Sequence, residues 1–127
     1  MDRLFFGKKL VAVRVRRFPN APTTSVSAPE SALQLLLMRR AKGSVARAHR
    51  HIPQERKTDV LQECIVVVKG KLRYDFFDDA GKFFRGVEVA AGEAMLVLGV
   101  AHAVEFLEDS LVYELKNGPF IEDKKFL

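Results

Sequence analysis

The sequence predicts an all-β fold, a single domain of short strands arranged as a sandwich or barrel. Three observations predict it. Apolar residues recur with period two along most of the chain, turn signals separate these runs roughly every ten residues, and residues 33–116 carry no helical stripe with caps. With 127 residues, 48% of them hydrophobic, the chain can bury one core without disulfides but is too short for two.

Taken in order, the elements run as follows. Strand 9–17 centres on VAVRVR (11–16), which puts Val11, Val13 and Val15 on one face and Arg14 and Arg16 on the other. Residues 19–32 (PNAPTTSVSAPESA) read as a surface loop. A nearly all-apolar run at 33–40 ends at a Lys42-Gly43 turn signal, and 44–51 (SVARAHRH) reads as a strand with Val45, His49 and His51 on one face. The β-branched run 63–68 stops at Gly70, and 71–77 alternates Leu72, Tyr74 and Phe76 against Lys71, Arg73 and Asp75. Asp78 to Lys82 is a hairpin loop. Further strands are expected at 83–89, 94–98, 101–107 and 111–116, before a Gly-Pro breaker and a tail that packs outside.

Composition excludes several classes. A lone Cys64 forms no internal disulfide and fits a reducing compartment, no apolar run reaches the roughly 18 residues of a membrane span, and the start is too weakly apolar for a signal peptide. A cytoplasmic protein without membrane contact is the expectation. Net charge is +5, skewed along the chain: residues 1–50 hold eleven Lys/Arg against Asp2 and Glu30. With no long basic block and no nucleic-acid-binding motif, these charges read as a solvated face, a subunit contact or an anion-attracting surface, and no nucleic-acid partner is expected.

The chemistry-bearing pattern lies in the histidines, of which there are three: His49, His51 and His102. In a strand, positions i and i+2 share a face with Cα atoms about 6–7 Å apart, so two imidazoles there converge on one ion. Glu63 shares the parity of Ile65 and Val67, and His102 that of Val104 and Phe106. Three imidazoles and a carboxylate in one cavity without an ion would leave buried polar groups to satisfy. Cys64, of opposite parity to Glu63, reads as a small buried apolar residue. Arg47 shares the parity of His49 and His51 and is a candidate for a substrate carboxylate or phosphate, or for a rim ion pair. Tyr74 and Tyr113 read as core residues whose phenols could donate to a substrate, and Phe106 as an apolar wall.

The spacing Gly43-(five residues)-His49-x-His51…Glu63-(six residues)-Gly70 resembles the first cupin motif, and Val97-x-Gly99-x-x-His102 resembles the second, with Val97 where that motif has proline. His49 to His51, Gly70 to Leu72, the Asp78–Gly81 hairpin and Tyr113 to Phe120 are similar to the WbuC-type cupin fold metalloproteins over residues 43–120. Glu55 satisfies the shorter glutamate spacing of the common motif, but Glu63 has the glycine in register and is preferred.

The resemblance implies one cupin domain over 1–127, a jelly-roll β-barrel (double-stranded β-helix), holding a divalent transition metal (Fe, Mn, Ni, Cu or Zn) on His49, His51, Glu63 and His102. It also implies a small-molecule ligand, sugar-derived or anionic, in bacterial sugar or surface-polysaccharide metabolism. Three functions stay open: a metal-dependent enzyme such as an oxygenase or isomerase, a non-catalytic ligand-binding cupin, and a metal-free nucleotide-sugar epimerase or isomerase. Sheet edges left open in such a fold predict a homodimer, with strand 9–17 or the 1–42 region at its interface.

Overall fold

β-Branched and apolar residues at alternating positions give ten strands and no helix in the computed structural model, which describes all 127 residues. The strands are β1 (Asp2–Phe6), β2 (Lys9–Val15), β3 (Thr23–Ser25), β4 (Leu36–Met38), β5 (Glu63–Lys69), β6 (Lys71–Phe77), β7 (Phe83–Ala90), β8 (Ala94–Val97), β9 (Ala101–Phe106) and β10 (Leu111–Lys116). They form a five-stranded sheet in the order β1-β2-β8-β5-β10, a three-stranded sheet in the order β7-β6-β9, and the β3-β4 hairpin. All pairings are antiparallel and no sheet closes on itself. No helix is long and apolar enough to cross a membrane.

The large sheet carries a core on each face. Toward the small sheet, Ile65, Val67, Met95 and Val97 pack with Leu72, Tyr74, Phe76 and Val89. On the opposite face Val13, Val15, Cys64, Ala94 and Leu96 lie under Val26 and Leu37, the latter from the β3-β4 hairpin. All four residues of β8 are buried, because alternate side chains enter alternate cores. That is why AMLV reads as a continuous apolar run. Each large side chain so buried contributes about 1.5–3 kcal/mol of transfer free energy.

Most of the predicted strands are present with boundaries shifted by a residue or two, and 71–77 and 111–116 without shift. Val11 does not share the face of Val13 and Val15. A bulge between β1 and β2 leaves Val11 without a cross-strand partner and turns it into the inter-sheet core. Residues 2–6 form a strand beyond those the sequence predicts, and the 19–32 loop contains β3. The 33–40 run keeps only Leu36–Met38 as strand.

The main departure is at 44–51. The Lys42-Gly43 turn is present, with the Ser44 amide donating to the Ala41 carbonyl. Beyond it, residues 44–62 form no strand and 44–60 are exposed throughout. Period-two alternation sets which face a strand buries, but it supplies no neighbour to pair with, and this segment has none within the chain. Strand 9–17 is also not a free edge as expected for a dimer contact: β2 is paired on both sides, by β1 and β8. Its arginines are used internally, Arg14 and Arg16 both pairing with Asp2.

Gly70 turns the chain from the large sheet into the small one with φ at +92°. A Cβ there would meet the Ser110 hydroxyl and lie 2.6 Å from the Asp109 carbonyl oxygen. Gly70→Ala should therefore destabilise the protein by about 2 kcal/mol or more, from left-handed backbone cost plus the clash. Urea unfolding should show a lower midpoint at unchanged slope, whereas an unchanged midpoint would mean that the turn adapts without strain.

Candidate functional site

Glu63 is the first residue of β5, opposite Val97 of β8 and Lys116 of β10. Its parity with Ile65 and Val67 points it toward the small sheet. After Val97 the chain crosses between sheets through residues 98–100 and returns as β9, placing His102 opposite Phe76. The two side chains thus come from different sheets and meet at one end of the inter-sheet core. His102 Nε2 lies 3.5 Å from Glu63 Oε1, with both side chains about one-fifth exposed.

The His102 ring is held in a defined state. Its Nδ1 is 2.9 Å from the Val100 carbonyl oxygen. A carbonyl only accepts, so Nδ1 carries the hydrogen and donates it. In the neutral ring, Nε2 then presents its lone pair to a carboxylate oxygen. Two such groups repel at this distance unless a proton or a cation lies between them.

Glu63 has further neighbours. Lys116 Nζ is 3.8 Å from Oε2 and 3.5 Å from Glu114 Oε1. Burial raises the Glu63 carboxyl above its ordinary value, a hydrogen bond with Glu114 raises it further, and the charges of His102 and Lys116 oppose this. Tyr74 forms one wall, its ring 5.8 Å from that of His102 and stacked on Phe76 at 5.7 Å. Burial, followed by the Glu63 and Glu114 charges, pushes the phenol far above the usual tyrosine range, so it stays protonated.

His49 and His51 lie on the exposed 44–60 segment, with ring centroids 5.2 Å apart. His49 repeats the His102 arrangement: its Nδ1 sits 2.7 Å from the Arg47 carbonyl oxygen, two residues back, which leaves Nε2 free. The two halves of the expected ligand set do not meet within the chain, where no three His, Cys, Asp or Glu side chains gather in a ligating group. Of the two candidate carboxylates, Glu63 is beside His102, while Glu55 is exposed and pairs with Lys57 at 3.5 Å.

The remaining candidates fall in different places. Arg47 is exposed on the same segment as His49. Phe106 is 55% exposed, not an inner wall, because it is the last residue of β9, the edge strand of the small sheet. Tyr113 is 68% exposed on the outer face of β10, opposite Val66 and away from Glu63. Cys64 is buried in the outer core, and burial lifts its thiol to about 11.

Sequence reasoning passed over Glu114 and Lys116. Their signal was parity, since both share the face of Val112, which packs on the inter-sheet core. Two surface recesses, of about 350 and 650 Å³, lie elsewhere, beside Arg39-Arg40 and beside Arg56–Asp59.

A carboxyl raised in the folded state contributes stability that is present below its unfolded value and is lost as pH rises through the folded one. With chelator present, the wild-type protein should lose stability relative to Glu63→Gln as pH rises from about 4.5 through that raised value. Urea unfolding across that pH range reads the difference; parallel profiles would mean that Glu63 ionises as freely folded as unfolded.

Residues 22–89 match a family described as Domain of unknown function (DUF6016). The match takes in His49, His51, Glu63 and Tyr74 and ends before His102. No curated protein and no solved structure matches the chain. With more than half of its residues inside that match, the chain belongs to the DUF6016 family.

Proposed function

We propose that this chain is a metal-binding protein of the cupin jelly-roll class acting on a small molecule, with its site built on Glu63 and His102. One observation carries the reading. A carboxylate and an imidazole from different sheets face each other at 3.5 Å, and a backbone carbonyl holds the imidazole with its Nε2 lone pair presented. Metal-ligating histidines are commonly fixed in this way, by donating the other ring nitrogen to a carbonyl. His49 has the same arrangement. Imidazole and carboxylate donors together suit Fe, Mn, Ni, Cu or Zn.

Within one chain the full set of His49, His51, Glu63 and His102 does not fit around an ion, so no step is assigned to one. What the chain's own residues do is narrower. Lys116 offsets negative charge at Glu63 and Glu114, and Tyr74 with Phe76 excludes water behind His102. A sugar-derived or anionic ligand suits the lysine.

A second reading, metal-free acid–base chemistry, is favoured by the same contact, since one proton shared between Glu63 and His102 also satisfies it.

Metal content separates the two. Protein purified from metal-supplemented medium should hold a stoichiometric divalent ion, and Glu63→Ala or His102→Ala should lower its affinity more than about tenfold, since loss of even a partner that supports a ligand costs that much. Cys64→Ser, on the opposite face, should bind as wild type does. A wild-type protein without stoichiometric metal would leave the acid–base reading.

A further inference from the structure

The expected donor set is divided between a fixed pair, Glu63 and His102, and an exposed pair, His49 and His51. The surface of the chain is also larger than a compact fold needs, both in the 44–60 segment and in the exposed tail 118–127, which does not pack on the outside as expected. A compact protein of 14.3 kDa exposes about 6,800 Å², and this chain exposes 9782 Å². The surplus of roughly 3,000 Å² slightly exceeds what one partner buries in a large obligate interface, about 1,000–2,500 Å². Part of it is apolar, including Val45 at 81% and Ile52 at 73% in the exposed segment.

Both roots of that segment are tied to the body of the chain. At one end the guanidinium groups of Arg39 and Arg40 donate to the carbonyls of Phe18, Pro19 and Pro22. At the other, the Gln62 amide donates to the Asn117 side-chain carbonyl, and the Asn117 amide donates to the Val60 carbonyl. Between these roots the chain projects with no strand to pair with. The small sheet, meanwhile, ends in β9, a free edge that carries His102. Unpaired edges are templates for a strand from another chain. Residues 44–51 alternate as such a strand requires.

We propose that two copies of this chain exchange the segments between these roots, residues 41–59. Residues 44–51 of each copy lie along the free edge of β9 in the other, bringing the partner's His49 and the partner's His51 to Glu63 and His102. The proposal rests on the metal-binding reading for the chemistry of the completed site, but not for the exchange itself.

Complementation tests the exchange. A segment variant (His49→Ala with His51→Ala) and a pocket variant (Glu63→Ala with His102→Ala) should each fail to bind Zn²⁺ alone. Refolded together in equal amounts, they should bind about a quarter of an ion per chain, because half of the dimers are mixed and each mixed dimer has one intact site. Wild-type binding with none in the mixture would overturn the exchange and leave the metal reading standing. If wild type binds no Zn²⁺, the metal reading fails, and a metal-free cross-link decides the exchange. In a Cys64→Ser background, Arg50→Cys with Ala103→Cys should oxidise to a disulfide-linked dimer on a non-reducing gel. A cross-link confined to single chains, or a monomeric mass by light scattering, would overturn it.

Discussion

The burial of β8 on both faces constrains the rest of the structure. Four residues, Ala94 to Val97, supply side chains to two cores at once. That requires a layer on each side: the small sheet on one, the β3-β4 hairpin on the other. It also fixes the neighbours, because β8 is paired by β2 and β5 along its length. Everything that positions the candidate site follows from where this strand begins and ends.

At its end, Val97 sits opposite Glu63. The chain then leaves the large sheet through Gly99, whose φ of +86° and close approach to Val60 leave little room for a side chain. Three residues of crossing are enough to deliver His102 to the small sheet on the face that looks back at Glu63. The contact is therefore a product of topology, since the two residues stand 39 positions apart. Its electrostatics are finely set. Burial works against the charge on Glu63, Lys116 and His102 work for it, and the Val100 carbonyl decides which imidazole nitrogen faces the carboxylate. A proton or a cation between the pair relieves the repulsion between lone pair and carboxylate, which is a chemical property and not only a structural one.

Much of this was legible in the sequence. The all-β class, the strands from 63 to 116 and the opposite faces of Glu63 and Cys64 follow from period-two parity, which holds wherever a strand is sandwiched between layers. The preference for Glu63 over Glu55 rested on the glycine in register, and Glu63 is the one the structure places beside His102. Three things were not legible. The bulge that turns Val11 inward depends on the register against β1, which no local pattern encodes. Lys116 and Glu114 were visible by parity but carried no motif. The 44–51 segment has the alternation of a strand, yet a strand also needs a neighbour, and whether one exists is a property of the assembled sheets.

The most direct measurement is the ring state of His102 in metal-free protein, by nitrogen and proton NMR of histidine-labelled material well above the imidazole titration range. The account predicts the tautomer with hydrogen on Nδ1 and a bare Nε2 facing Glu63. Hydrogen on Nε2 would contradict it, because the ring would then donate directly to the carboxylate and present no lone pair for an ion or a proton to occupy.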